Sequence, residues 1–219
     1  VGNVKFGTFN IVKFYDFNFD HNIIKNCIIN DYSCQINLSL NKFFQNSYTL
    51  TNLTLLNCET ISMSGGLGLY LVFNSTESIF IINDCKFENN KSNGKEYYTG
   101  CGGAFSSESI IESQMELLFV NSSFIENYAE SWGGALSIRS SLPILIENCT
   151  FLNNSALSAG AIYIDPMDFP DIGNLPNCTI SNSVFKYNYD FSNYCHAILC
   201  LYDDNCKTFF KINDCLFID

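Results

Sequence analysis

Residues 121–140 read NSSFIENYAESWGGALSIRS, and residues 148–165 read NCTFLNNSALSAGAIYID. The second stretch restates the first. Each opens on Asn and a small residue, sets a Phe two positions beyond it and an Asn three beyond that, and ends in a small-residue step into an apolar run. Working outward, the small residue can be placed seven times, as Cys27, Cys58, Cys85, Ser122, Cys149, Ser183 and Cys215. The intervals of 27 to 37 residues fall in the range of stacked supersecondary repeats.

The residues around this anchor form columns. Directly before it stand Asn26, Asn57, Asp84, Asn121, Asn148, Asn182 and Asp214. Three before it stand Ile24, Leu55, Ile82, Phe119, Ile146, Ile180 and Ile212. Two after it come Ile29, Thr60, Phe87, Phe124, Phe151, Phe185 and Phe217, and five after it Asn90, Asn127, Asn154 and Asn188. Positions −5 and −3 alternate as on a strand, and so do the anchor and +2. The parity breaks between −3 and the anchor, so the chain bends there. Asn or Asp suits that bend because it tolerates a left-handed backbone and bonds its own main chain. A further strand follows the Gly step, as in Ala135-Leu136-Ser137-Ile138. No helical periodicity competes.

Short strands meeting at corners in a loosely periodic repeat predict an all-β, right-handed parallel β-helix. It has about seven coils of roughly 31 residues with three short strands each. Residues 1–219 then make one domain, expected to be a segment of a longer chain. Like residues stack on like. The predicted core is Ile82, Phe119, Ile146, Ile180 and Ile212 beside Phe87, Phe124, Phe151, Phe185 and Phe217. A ladder of Asn90, Asn127, Asn154 and Asn188 satisfies buried backbone groups at an inward corner.

Phe-x-x-Asn followed by Gly-Gly-Ala-[Ile/Leu/Val] resembles the repeat signature of polymorphic outer membrane proteins and similar right-handed β-helix surface proteins. Phe124 to Asn127 with Gly133-Gly134-Ala135-Leu136 matches it fully. Phe87 to Asn90 with Gly102-Gly103-Ala104-Phe105, Phe151 to Asn154 with Ala159-Gly160-Ala161-Ile162, and Phe185 to Asn188 with Cys195-His196-Ala197-Ile198 match in part. The signature covers roughly residues 80–219. The resemblance implies a secreted or surface-displayed protein with an adhesive or structural role.

Composition narrows the partners. The net charge is −11, with 22 acidic against 11 basic residues, so nucleic acid is not expected as a partner. No run approaches the roughly 18 apolar residues of a membrane span, so no insertion of this segment is expected. Eleven cysteines without metal-type spacing, and sequons at Asn37, Asn52, Asn74, Asn90, Asn121, Asn148, Asn153 and Asn177, point to an oxidising, extracellular setting. All but Asn90, which fills the inward ladder, are candidate N-glycosylation sites. The cysteines of the anchor column are either disulfide partners one coil apart or small buried hydrophobes. Cys200 and Cys206 are a further candidate pair, and an odd total leaves one thiol over.

The sequence points to no catalytic centre. Asp203-Asp204 are adjacent and would face opposite sides of a strand, whereas glycosidases need two facing carboxylates. Arg139 is the sole Arg. Asp165, Asp168, Asp171 and Asn174 offer hard oxygens to a cation but lack EF-hand order, and read as a solvated loop. His21 and His196 have no partner pattern. The expected function is a non-enzymatic structural or adhesive β-helix glycoprotein, a rod that assembles into a filament or coat. The alternative is a polysaccharide lyase or glycosidase of the same fold. No cofactor or metal is expected. Expected partners are other protein chains, copies of itself or a host or matrix surface, along with covalent N-glycans and carbohydrate.

Overall fold

The computed structural model describes residues 9–12, 18–20, 23–25, 36–40, 47–61, 64–71, 79–95, 99–109, 116–139, 142–165, 177–192, 197–201 and 210–219. Every described element is a strand, and every pairing is parallel. The strands stack into four sheets that form the faces of a right-handed parallel β-helix. One central coil shows the plan. Glu116–Val120 lies on face 1, Ser123–Ile125 on face 2, Tyr128–Trp132 on face 3 and Leu136–Arg139 on face 4. We number this coil 4. Coils 2, 3, 5 and 6 begin on face 1 at Ser47, Ile79, Ile144 and Cys178. Among the described residues, faces 1, 2 and 4 hold seven strands each and face 3 five.

The expectation of three strands per coil is therefore corrected to four wherever face 3 forms. The extra strand follows the ladder Asn and is often two residues long, as in Lys91–Ser92 and Tyr189–Asp190. Its inward residues, Thr60, Ser92, Ala129, Ala156 and Asp190, are small or polar, so it leaves no hydrophobic alternation to read.

The corners follow from backbone conformation. Asn52, Asp84, Asn121, Asn148, Asn182 and Asp214 all have φ between 49° and 54°. A second series of left-handed residues, Asn57, Asn89, Glu126, Asn153 and Tyr187, turns coils 2 to 6 from face 2 to face 3. Two left-handed corners thus lie five residues apart in every central coil.

That doubling corrects the alignment of the first two coils. Phe87 pairs with Leu55, and Leu55 with Ile24, so these are residues of the Phe column and not of the position three before the anchor. Ile82 pairs with Leu50. Cys58 donates its backbone N–H to Asn90 Oδ1 at 3.0 Å and so begins the Asn ladder rather than the anchor column. An Asn before a small residue fits either corner, and in coil 2 the motif matched the wrong one.

The interior is stacked like on like. Rings of Phe87, Phe124, Phe151, Phe185 and Phe217 lie nearly parallel, with successive centroids 5.1, 4.9, 4.7 and 4.8 Å apart. Ile82, Phe119, Ile146 and Ile180 are fully buried in adjoining registers, while Ile212 and Phe217 in the last coil are 42% and 46% exposed. Burying a Phe contributes roughly 1.5–3 kcal/mol, and one lies at each turn of this stack.

Backbone crowding explains the Gly step. A Cβ on Gly134 would sit 2.1 Å from the Gly160 carbonyl oxygen. Gly133 before it adopts φ +65°, which a side chain rarely tolerates.

Candidate interaction surface

The ladder side chains are held on both sides. Asn127 Oδ1 accepts from the Asn90 N–H and from Asn90 Nδ2, each at 3.0 Å. Asn127 Nδ2 donates to the Phe87 carbonyl at 3.1 Å and to Asn154 Oδ1 at 3.0 Å. Asn154 and Asn188 continue the pattern. Because every rung lies fully inside, the ladder supports the fold and offers nothing to solvent.

The anchor column runs Leu53, Cys85, Ser122, Cys149, Ser183, Cys215. Cys and Ser alternate, so no two cysteines in it are neighbours. Thiols and hydroxyls here do the same work. Ser122 Oγ donates to the Val120 carbonyl at 2.8 Å and Cys149 Sγ to the Glu147 carbonyl at 3.3 Å. Cys85, Cys101, Cys149, Cys178 and Cys215 are free thiols, so of the two readings of the anchor column the small hydrophobe holds for Cys85, Cys149 and Cys215, and the disulfide does not. Burial pushes Cys149 and Cys178 up to about 12 and Cys85 and Cys101 up to about 11, so these thiols are not nucleophiles near neutral pH.

The charged cluster on the outside of face 4 was missed by sequence reasoning. Arg139 is 95% buried, with Nη1 3.2 Å from Glu108 Oε1 and Nε 3.7 Å from Asp165 Oδ2. Its guanidinium lies 5.8 Å from the Trp132 ring, and Trp132 stacks on Tyr163 at 5.3 Å. Glu108, Arg139 and Asp165 belong to successive coils, so the triad ties three turns together. A shallow hollow of about 220 Å³ lies against face 1 beside Pro143 and Asn177 and contains one carboxylate, Glu116.

Face 3 presents a grid to solvent. Coil 4 contributes Glu126, Tyr128 and Glu130, coil 5 Asn153, Ser155 and Leu157, and coil 6 Tyr187, Tyr189 and Phe191. The register pairs Tyr128 with Ser155 and Ser155 with Tyr189. Leu157, Tyr187, Tyr189 and Phe191 are each about half exposed. Phe191 meets Tyr189 edge-on at 5.0 Å and Tyr128 at 6.4 Å. Lys186 Nζ sits 4.8 Å above the Tyr187 ring. Tyr128 donates its hydroxyl to Glu130 Oε2 at 2.6 Å, and burial together with that carboxylate pushes the phenol up to about 12. The row was legible in principle. Asn188 and Asp190 point inward, so the aromatic residues alternating with them must point out.

Of the sequon asparagines, Asn52, Asn121, Asn148, Asn153 and Asn177 are exposed, and Asn90 is fully buried. Asn37 lies on strand Ile36–Leu40. Asn74, His21, His196, Asp168, Asp171, Asn174, Asp203, Asp204, Cys27, Cys34, Cys195 and Cys206 lie outside the described residues. Among the described residues, no three His, Cys, Asp or Glu side chains gather as a metal site, and no helix is long and apolar enough to cross a membrane.

Stacked coils, an amide ladder and a surface that varies from coil to coil define the class: a parallel β-helix repeat protein. Residues 148–165, from the Asn148 corner through faces 2, 3 and 4 of coil 5, match the Chlamydia polymorphic membrane protein repeat. The chain resembles proteins built from that repeat, and the repeat points to display at an outer membrane or cell surface. Neither a curated protein nor a solved structure matches the chain.

Proposed function

We infer that the chain is a non-enzymatic, surface-displayed β-helix that acts as a structural or adhesive rod. The observation that carries this reading is the split between its two sides. Inward columns repeat from coil to coil, while the outward grid of face 3 changes in character. A repeat whose interior is constant and whose surface is free to vary suits recognition of other chains. N-glycans at Asn52, Asn121, Asn148, Asn153 and Asn177 are compatible with this reading, since these asparagines face solvent.

The glycosidase form of the enzymatic alternative would need two carboxylates free to act across a substrate. Glu108 and Asp165 lie two coils apart on one face, but both engage Arg139. The deciding experiment has two arms. Intact cells of the source are shaved with protease, and the purified chain is incubated with a panel of neutral and acidic polysaccharides. Loss of the protein from shaved cells without new reducing ends or unsaturated products is expected. Protection from protease on intact cells, or turnover of any polysaccharide, would overturn the reading.

A further inference from the structure

We propose that the face 3 grid is a docking surface for a cationic protein segment, one bearing lysines or arginines. This rests on the surface-displayed reading for its setting. Three observations support it. The exposed aromatic residues of the described coils, apart from the last coil, gather in one row, Tyr187, Tyr189 and Phe191, which with Leu157 forms an apolar patch. Such patches on soluble surfaces mark contact sites. The row two registers away, about 10 Å along the axis, carries Glu126 and Glu130, with Asn153 and Ser155 between.

Charge identifies the occupant. The chain has twice as many acidic as basic residues, which steers basic partners toward it and repels acidic ones. The faces of these rings attract cations, and Lys186 Nζ already stands 4.8 Å over Tyr187. A segment with basic side chains two or more residues apart can place one over the aromatic row and another between the two glutamates.

The test uses the purified chain and a fluorescein-labelled Gly-Ser peptide carrying four arginines, followed by anisotropy. The same peptide with glutamine in place of arginine is the control, and cellohexaose is the neutral glycan probe. Binding of the arginine peptide is expected to exceed that of the control at least tenfold and to weaken with salt. The double variants Tyr189→Ser/Phe191→Ser and Glu126→Gln/Glu130→Gln should each weaken it roughly fivefold or more, with unchanged thermal unfolding. Equal binding of both peptides, binding of cellohexaose alone, wild-type affinity in both variants, or sedimentation showing that the patch is covered by a second copy would each overturn the proposal. Because shaving and polysaccharide turnover are read separately, failure here leaves the surface reading standing, and the reverse also holds.

Discussion

The inward and outward sides of the segment Tyr187–Phe191 obey opposite rules. Asn188 and Asp190 are 7% and 0% exposed, whereas Tyr187, Tyr189 and Phe191 stand half in solvent. Polar residues occupy the interior here because their partners are built in. Asn188 bonds the Asn154 backbone N–H, the Asn154 amide and the Phe151 carbonyl, and Asp190 accepts from Ser192 Oγ at 2.7 Å. Aromatic residues occupy the exterior with no packing that demands them. The inward Asn column repeats from coil 3 to coil 6, and its neighbour stays small or polar. The outward one goes from Asn89, Lys91 and Asn93 in coil 3 to three rings in coil 6. Stacking constrains the first and leaves the second free, so a departure toward apolar residues on the outer side marks a contact surface rather than a core.

Breaking the inner side should cost most. Phe124→Ala removes a ring packed against Phe87, Phe119 and Phe151, and should lower stability by about 3–5 kcal/mol in urea unfolding. Asn127→Leu keeps the volume but leaves the Asn90 N–H and the Phe87 carbonyl without their partner. A loss of about 3 kcal/mol is expected by the same measurement.

The thiols of the inner column give a pH test. Burial raises Cys85 and Cys149 from 9.0 to about 11 and 12. A thiol raised in the folded chain contributes fully below its unfolded value and loses that contribution as pH climbs through the folded one. The Tm should therefore fall between pH 9 and 12. In Cys149→Ser, which copies Ser122 and Ser183 of the same column, the fall should be shallower, and neutral stability should change by about 1 kcal/mol.

Smaller effects mark the places where inner and outer rules meet. Ser107 Oγ is buried among the described residues with no hydrogen-bond partner, in register with Ile138. Ser107→Val should raise stability by about 1 kcal/mol, seen as a higher Tm. On the outer side Tyr189→Ser should change unfolding by less than about 0.5 kcal/mol; a larger loss would place that ring in the core after all.

Much of this was readable from residues 80–219, where Phe, Asn and Gly recur at the spacing a stacked solenoid demands. The third face escaped notice because its inner side is Thr, Ser, Ala and Asp, which carry no hydrophobic signal. Coil 2 was misaligned because Asn52 and Asn57 are both left-handed corners, and local sequence does not rank them. The Arg139 cluster was invisible because Glu108, Arg139 and Asp165 lie about 30 residues apart. Their meeting depends on the register of three coils.

Linear order thus carried the period, the parallel stacking and the identity of the buried columns, since each coil must place like groups over like to satisfy its backbone and fill its core. Which corner each Asn occupies, whether a cysteine finds another cysteine or a serine above it, and which outward residues share a patch were decided only when the coils stacked. Those outcomes depend on register across insertions of unequal length, and no short-range propensity encodes it.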